Sequence, residues 1–386
     1  MAAIASRLSC ERQRLSRRVL LRALLGMSVL VGLALVWVVA AFQSAFTAFD
    51  TLYGGNWMVV SAWLLLALAC GYAGLHCFGW LYAPPGVPHG IALSRDSALS
   101  LYRLLDRMSG RMGGVHVDAV WVTGDMNAAV LQRPSWGLVG PMQTHLLIGL
   151  PLVHSISESQ FSAILAHEFG HLYCQRRGWA AWGCHMRAWW YRTFDACLND
   201  LPVLSRLPFI ESWSIVDVEV ATRLSRLEEL EADSVAALCV GAELVGETLV
   251  EVALKERFLT RDFWNKVMAQ SNSRPRPTIR PYRDLGLGVM AGFRRPSEWT
   301  EVPMSVFADE DPGLELHPSL VDRLNALGTG PVGPRGDEKS AAQRYLMPLL
   351  PRLAWTFDRA WWAGTRNTWR SSYKRARNKK AANPVD

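Results

Sequence analysis

The segment His167-Glu168-Phe169-Gly170-His171 combines the residue types that bind and use a metal ion. Residues four apart share one face of a helix, so the two imidazoles can meet at one ion, at the usual zinc–nitrogen distance of about 2.0–2.1 Å. Glu168 would then lie beside the metal, where it can accept a proton from a water molecule that the metal activates. The spacing therefore predicts one zinc ion per chain, held by His167 and His171, with Glu168 as the catalytic base. The alternative is a helix with two capping or core histidines and an unrelated Glu.

A catalytic zinc ion needs a third protein ligand and an open position. One known arrangement requires Gly and His three and six residues after the second histidine, where this chain has Cys174 and Arg177. Two others require Glu 19 or 20 residues after it, where the chain has Trp190 and Tyr191. These arrangements are excluded, so the third ligand must come from a more distant helix.

Residues 228–233 supply three candidate glutamates, Glu228, Glu229 and Glu231, followed by Asp233. A helix turns by about 100° per residue, so only one of the three can point at the metal. Glu229 and Asp233 are four apart and share a face. We therefore predict that Glu229 is the third ligand and that the Asp233 carboxylate holds a ligand imidazole from behind.

The surrounding patterns indicate which elements carry these residues. Ser157 and Gln160 form a capping-box pattern at the start of a helix that runs through the histidine motif. A second helix is predicted from about residue 214 to 240, another within 93–108, and a buried or edge strand at 145–150. The metal ligands are therefore expected on two helices.

Taken together, these motifs resemble the membrane-bound zinc metallopeptidases of the HtpX and CAAX prenyl protease type. That family carries H-E-x-x-H and then E-x-x-x-D, typically within S-R-x-x-E-x-x-A-D, and residues 225–233 read S-R-L-E-E-L-E-A-D. The resemblance extends over about residues 93–327. It includes two further short elements, Asn127-Ala128 and His317-Pro318 followed by Arg323-Leu324.

The resemblance implies endopeptidase activity and a zincin-like (gluzincin) domain that is mainly α with a small β-sheet (α+β). It also implies that zinc is bound by His167, His171 and Glu229 and that Glu168 is the base. Many relatives have further transmembrane helices between the two motifs. Here Arg176, Arg177, Arg187 and Arg192 interrupt this interval, so we predict no span there. The aromatic residues of 178–194 are expected either to lie on the bilayer surface or to pack in the core.

Substrate contacts are predicted on the strand and on one later histidine. We expect Asn127 and the strand 145–150, with Leu147 and Gly149, to bind the substrate backbone by strand addition, which gives weak sequence selectivity. His317 has two interpretations of equal weight. It hydrogen-bonds the oxyanion, or it caps a helix that begins at the next residue.

Two uncharged runs, 23–49 and 57–82, each exceed the ~20 residues that cross a bilayer as a helix. A cleavable signal peptide has only about 7–15 apolar residues, so both runs are expected to remain as a transmembrane hairpin. Six Arg precede the first run, and the loop between the runs has no Lys or Arg, which predicts that both termini and the catalytic domain are cytoplasmic. The expected location is the bacterial inner membrane.

Composition and charge restrict the function further. Hydrophobic residues make up 50% of the 386 residues and charged residues 19%, a balance too apolar for a disordered chain. The net charge of +7 is concentrated in the two tails, so no nucleic-acid partner is predicted. The seven Cys include no C-x-x-C pair and imply no disulfide framework.

The predicted organisation has four parts. These are a basic cytoplasmic tail (1–22), a transmembrane hairpin (23–83), a zinc metallopeptidase domain (84–330) with an Arg/Pro-rich loop (271–303), and a Trp/Arg-rich basic C-terminal tail (331–386). The last part is predicted either to bind anionic lipid or to be a solvated terminus.

The sequence therefore predicts a membrane-anchored zinc endopeptidase that hydrolyses peptide bonds in membrane or membrane-proximal proteins. Family resemblance alone extends these substrates to misfolded proteins. Two alternatives remain, a processing protease for prenylated proteins and a catalytically silent membrane scaffold that retains the fold. The intact Glu168 argues against the scaffold, and the small number of spans argues against the large intramembrane chamber that the processing protease would need.

Overall fold

A computed structural model describes residues 2–114, 116–175, 179–203, 206–293, 317–330 and 339–382. The chain forms two compact units. The first contains Met1–Val87, Gln132–Met142 and Gln175–Leu227, and the second contains Pro88–Leu131, Gln143–Cys174 and Glu228–Asp386.

The described chain is mainly helical with one small sheet, as predicted. The helices are α1 (Ala2–Thr51), α2 (Trp57–Leu81), α3 (Leu99–Arg111), α4 (Leu150–Ser155), α5 (Glu158–Gln175), α6 (Trp179–Asp200), α7 (Pro208–Val240), α8 (Ala242–Phe258), α9 (Trp264–Ala269), α10 (Leu285–Gly292), α11 (Leu320–Leu327), α12 (Ala341–Tyr345) and α13 (Leu350–Ala382). The strands are β1 (Ile91–Leu93), β2 (Ala119–Thr123), β3 (Ala128–Pro134) and β4 (Met142–Gly149).

The first unit is built on α1 and α2. Within the described residues, two helical segments are long and apolar enough to cross a membrane, Cys10–Gly54 and Trp57–Leu81. The Asn56 side chain caps α2 by accepting a hydrogen bond from the N–H of Val59. Large apolar side chains such as Phe42 and Leu68 are exposed along both helices, and apolar residues all around a helix are typical of a membrane span.

The start of α1 packs against other helices of the first unit. Residues 10–22, predicted to belong to a basic tail, are helical, and Leu15 and Val19 lie in one apolar cluster with Leu224. The Arg22 guanidinium forms an ion pair with Asp217. This segment is therefore held by apolar contacts and by charge.

Helix α6 also packs on α1, and this contact decides between the two interpretations of its aromatic residues. Trp190 is buried against Ala23 and Met27, with Phe194 stacked on it. Core packing therefore applies to Trp190, and the bilayer-surface interpretation is wrong for this residue. The side chains of Trp179 and Trp182 lie outside the described residues.

The second unit contains the sheet, in the order β1-β2-β4-β3. Strand β1 is antiparallel to β2, and β2 is parallel to β4, with Val120 beside Leu146 and Val122 beside Ile148. These four side chains are buried in the main core of the unit. The predicted strand at 145–150 is thus an inner strand, and its last predicted residue, Leu150, begins α4.

Helix α5 begins as the sequence predicts. The Ser157 hydroxyl accepts from the N–H of Gln160, and the Gln160 side chain accepts from the N–H of Ser157, which confirms the capping box. Inside the helix, Gly170 permits a close approach of α7, because a Cβ there would lie 2.9 Å from the carbonyl oxygen of Ala232. The small residue in the histidine motif therefore brings the two ligand-bearing helices together.

Two predicted helix boundaries are wrong. Leu93 belongs to β1 and not to α3, because a turn in which the Ser97 N–H donates to the Ser94 carbonyl separates the two elements. Helix α7 begins at Pro208, ahead of the predicted residue 214, and proline is favoured in a first helical turn because its missing N–H has no partner there.

The C-terminal segment is folded over its described length. Helix α13 continues to Ala382, and its Trp369 is 0% exposed and donates a hydrogen bond to the carbonyl of Arg274. The Asp358 carboxylate accepts from the N–H groups of Tyr282 and Arg283. A plainly solvated terminus is therefore wrong for this helix, because one of its sides is buried.

The Arg/Pro-rich region 271–303 was expected to be a loop, and part of it is helical. Helix α10 covers Leu285–Gly292, and Leu285 and Val289 lie in a second apolar cluster with Phe258. Residues 294–303 lie outside the described residues.

His154 provides a test of packing in the second unit. Burial lowers the pKa of this imidazole from 6.5 to about 4. Because the folded pKa lies below the unfolded one, the stabilisation is complete above pH 6.5 and is lost as the pH falls towards 4. We expect the free energy of unfolding to fall by up to about 3 kcal/mol through this group. Denaturant unfolding of the detergent-solubilised protein between pH 7 and 4.5 measures this loss.

The variant His154→Gln should show a flatter pH dependence over the same range. His116→Gln, which replaces an exposed imidazole, is the matched control. Equal slopes for wild type and His154→Gln would contradict the prediction.

Candidate metal centre

Three side chains from α5 and α7 converge on one point. The Nε2 atoms of His167 and His171 are 3.2 Å apart, and Glu229 places Oε2 at 3.4 Å from the first and Oε1 at 3.4 Å from the second. Among the described residues, this is the group of His, Cys, Asp and Glu side chains whose geometry could hold a metal ion. The structure therefore brings together the three predicted ligands.

The spacing of these donor atoms fits a zinc ion. Four ligands at about 2.0–2.1 Å around a tetrahedral ion lie about 3.3–3.4 Å from one another. The three observed separations match that spacing, and two imidazoles with one carboxylate are a donor set that zinc accepts.

The orientation of His167 is set by Asp233. Its Nδ1 lies 2.9 Å from Asp233 Oδ1, so an Nδ1 hydrogen can be donated to the carboxylate while Nε2 keeps its lone pair for a metal. Asp233 is fully buried on α7, one helical turn after Glu229. This is the position that the i to i+4 relation predicts for the supporting carboxylate.

Arg323 completes the arrangement, and sequence reasoning assigned it no role. Its Nε donates to Asp233 Oδ2 at 2.7 Å and its Nη2 to Asp233 Oδ1 at 2.6 Å, a bidentate pair. The residue lies on α11. Its place in the later family-like element, six residues after His317, was the available signal.

The carboxylates of the centre are held in their charged form. Burial alone would raise the pKa of Asp233, but hydrogen bonds from Arg323 and His167 outweigh it and hold that pKa below its usual range. Glu229 behaves in the same way, because hydrogen bonds from His167, His171 and His317 more than offset burial and lower its pKa.

His167 shows the complementary shift. Burial lowers its pKa, but the hydrogen bonds to Asp233 and Glu229 outweigh burial and raise the pKa from 6.5 to about 9. The two carboxylates therefore make the centre attract positive charge.

Glu168 is buried beside the cluster and is not one of the converging donors. Burial raises the pKa of its carboxyl, and the nearby histidines and a backbone hydrogen bond from Val130 act in the opposite direction. Val130 belongs to β3, so the predicted base lies against this strand.

His317 lies at the open side of the cluster. Its Nδ1 is 3.2 Å from Glu229 Oε1, and its side chain is 68% exposed. The helix-cap interpretation is wrong, because Ser319 caps α11 by accepting from the N–H of Asp322. The oxyanion interpretation stays a prediction.

The predicted substrate strand needs a correction. Strand β4 lies between β2 and β3, so both of its edges are already paired and it cannot accept a further strand at Leu147 or Gly149. The Asn127 carbonyl accepts from the N–H of Gly149 at 2.8 Å, which makes this residue part of the fold. Within the described sheet, the edge strand next to β4 is β3.

The fold and the site define a metallopeptidase domain, and the comparison with protein families agrees. Residues 139–329 match the model of peptidase family M48, a stretch that contains both ligand-bearing motifs. This match confirms the predicted resemblance to the HtpX and CAAX protease family, whose members are metallopeptidases that hydrolyse peptide bonds. Searches of curated proteins and of solved structures found no match.

The choice of Glu229 as third ligand can be tested by metal content. Glu229→Ala removes the donor that lies 3.4 Å from both imidazoles, so we expect the largest loss of bound zinc among the glutamates of 228–231. Asp233→Asn should lower the affinity by about 10–100-fold, because it weakens the support of His167 and leaves the three ligands in place. Zinc per chain is measured by elemental analysis after dialysis against a weak chelator.

Glu231→Ala is the matched control in the same helix. A greater zinc loss in this variant than in Glu229→Ala would contradict the assignment.

Proposed function

We propose that this protein is a zinc-dependent endopeptidase, anchored in a membrane, that cleaves membrane or membrane-proximal proteins, including misfolded ones. The observation that carries the proposal is the arrangement of His167, His171 and Glu229. Their donor atoms are spaced for one tetrahedral ion, with the Glu168 carboxyl beside them. A zinc ion bound there would act as a Lewis acid that makes a water molecule and the scissile carbonyl more reactive.

The protein's own residues then move the proton. Glu168 accepts a proton from the attacking water and passes it to the leaving amine. Its raised pKa suits both steps, because a base works best when its pKa approaches the working pH. His317 is exposed beside Glu229, where it can donate a hydrogen bond to the developing oxyanion.

Substrate alignment is assigned to β3. Its Val130 N–H is directed to Glu168, so the free edge of the strand runs past the catalytic base. An extended peptide that pairs with this edge would be held by its backbone. Such binding requires an unfolded segment and gives weak sequence selectivity.

Two alternatives are less well supported. A silent scaffold does not explain why the ligand set and a buried base are retained together. A prenyl-protein processing enzyme would need a chamber for the lipid, and the described residues include only two helices suited to span a membrane.

The catalytic proposal predicts that Glu168→Gln keeps its metal and loses hydrolysis. Loss of the general base should lower the rate by about 10²–10⁴-fold, while zinc per chain stays at the wild-type value because the ligands are untouched. Cleavage of an unfolded protein substrate and elemental analysis measure the two quantities. If the zinc-replete wild type cleaved no unfolded protein or peptide, the scaffold alternative would be favoured.

We place both termini and the catalytic unit on the cytoplasmic side. Six Arg precede the first uncharged run, and the turn around Gly54 has no Lys or Arg. Basic residues near the end of a span oppose its translocation. The hairpin α1–α2 then returns the chain to the side where it began.

This topology predicts that a reporter fused after Asp386, of a kind that fluoresces only in the cytoplasm, is bright. It also predicts that Gly54→Cys is labelled by an impermeant thiol reagent added outside the cell, with the wild-type chain as the control for the native cysteines. A dark fusion together with an unlabelled residue 54 would contradict the model.

We further propose that α13 contacts anionic lipid. Six exposed basic residues fall within about 80° of its circumference, opposite its buried side. The only acidic residue of the helix, Asp358, is buried. Trp355 is exposed under the guanidinium of Arg359, which lies 5.3 Å from its ring centroid. The stripe is formed by Arg352, Arg359, Arg366, Arg370, Lys374 and Arg377.

Neutralising this stripe should weaken lipid binding. The full chain in detergent is expected to retain more phosphatidylglycerol than a variant with all six residues changed to Gln, as measured by native mass spectrometry. Each basic residue near an anionic surface contributes about 1 kcal/mol, and added salt screens the attraction. Phosphatidylcholine is the control lipid, and equal retention of phosphatidylglycerol by both proteins would refute the proposal.

A further inference from the structure

The lengths of α1 and α2 indicate where the boundary of the hydrocarbon layer falls along the first unit. Counting the ~20 residues of a span from Trp57, at the start of α2, reaches His76. Trp80 follows one turn later and packs with Leu30 of α1. Leu30 in turn lies about 20 residues before the end of the first uncharged run. The level of His76, Trp80 and Leu30 therefore marks the cytoplasmic boundary of the hydrocarbon layer.

The end of α6 is fixed at this same level. The Trp80 indole donates to Asp200 Oδ2 at 2.8 Å, and His76 Nε2 lies 3.7 Å from the same oxygen. Ala196 and Cys197 join the cluster that contains Leu30 and Trp80. The last turn of α6 is thus bound to the two spanning helices where they meet the headgroups.

The direction of α6 follows from its other contacts with α1. A Cβ on Gly183 would contact Leu20, and Trp190 packs on Ala23 and Met27. At the C-terminal end of α6, Ala196 and Cys197 contact the cluster that contains Leu30. Successive residues of α6 therefore meet successive residues of α1, and the two helices run in the same direction. Its C-terminal end therefore points towards the bilayer.

The connection that follows α6 presents apolar side chains at this level. Leu201, Val203 and Leu207 are exposed, Val203 by 69%. Asp200 precedes these residues and Arg206 lies between Val203 and Leu207, and charges so close to apolar side chains suit a headgroup layer. Residues 204–205 lie outside the described residues.

We infer that Leu201, Val203 and Leu207, in the described part of this connection, form a further membrane contact and insert at the boundary between headgroups and acyl chains. The inference rests on the membrane anchoring proposed above. Exposed apolar residues close to charged ones are the composition of a segment that lies in the interface, and the contacts of Asp200 place these residues at the right depth. It is a shallow contact and not a further span.

The test is photo-crosslinking of the full chain, reconstituted in phosphatidylcholine and phosphatidylglycerol vesicles with labelled acyl chains. A benzophenone amino acid replaces Val203 or, in a second protein, Leu201. Val218 is the matched control, since it is 51% exposed and follows Asp217, the partner of Arg22. Arg22 precedes Leu30 by eight residues, about 12 Å along α1 on the cytoplasmic side.

Substitution at Val36, which is exposed on the first span, tests the anchoring itself. We expect strong lipid labelling at Val36, and labelling at Val203 and Leu201 at least about threefold above Val218. If Val36 is labelled but Val203 and Leu201 are labelled no more strongly than Val218, the proposed contact after α6 is wrong and the membrane anchoring stands. If Val36 is not labelled, the membrane anchoring is wrong, and the contact proposed for the connection after α6 is wrong with it. Retained peptide hydrolysis shows that each substituted protein is folded.

Discussion

The close approach of α5 and α7 at Gly170 and Ala232 determines the geometry of the metal centre. His167 and His171 lie on either side of Gly170, and Glu229 and Asp233 lie on either side of Ala232, so the separation of the two helices sets the distances among the four side chains. Any larger residue at 170 would push Glu229 away from the imidazoles. The capping box at Ser157 and the buried core around α5 hold that helix in place against this contact.

Asp233 shows how much of the centre depends on a buried charge. A carboxylate removed from water is costly unless its oxygens are satisfied, and here both oxygens accept bonds from Arg323, with one of them also facing His167. The residue that orients the ligand is therefore itself oriented from α11. Removal of Arg323 would leave a buried anion with reduced compensation, so its effect should reach the metal ligands through Asp233.

The parts of the site that lie on one helix could be predicted from sequence, because a four-residue spacing within a helix fixes which side chains share a face. This applies to the pair His167 and His171 and to the pair Glu229 and Asp233. The inner position of β4 could not be predicted, because it depends on pairing with β2 and β3. A short apolar run has the same sequence pattern at the centre and at the edge of a sheet. The role of Arg323 could not be predicted either, because it depends on a contact with Asp233, which is far away in sequence. The burial of Trp369 depends on residues near 274, and local composition indicated only a basic, aromatic segment.

If the short edge strand β3 aligns the substrate as proposed, its length also limits which substrates can bind. An unpaired edge usually invites association with other chains, and proteins restrict this with charge, proline and short length. Strand β3 has all three, because its seven residues end in Arg133 and Pro134. The usable edge before Arg133 is about five residues, or roughly 17 Å of extended chain. A protein with a loose stretch of that length can enter, whereas one whose chain is fully engaged in its own helices and sheets cannot. Under the proposed pairing, cleavage would depend on whether a protein contains an unfolded stretch, and folded proteins would be spared without any recognition of their sequence.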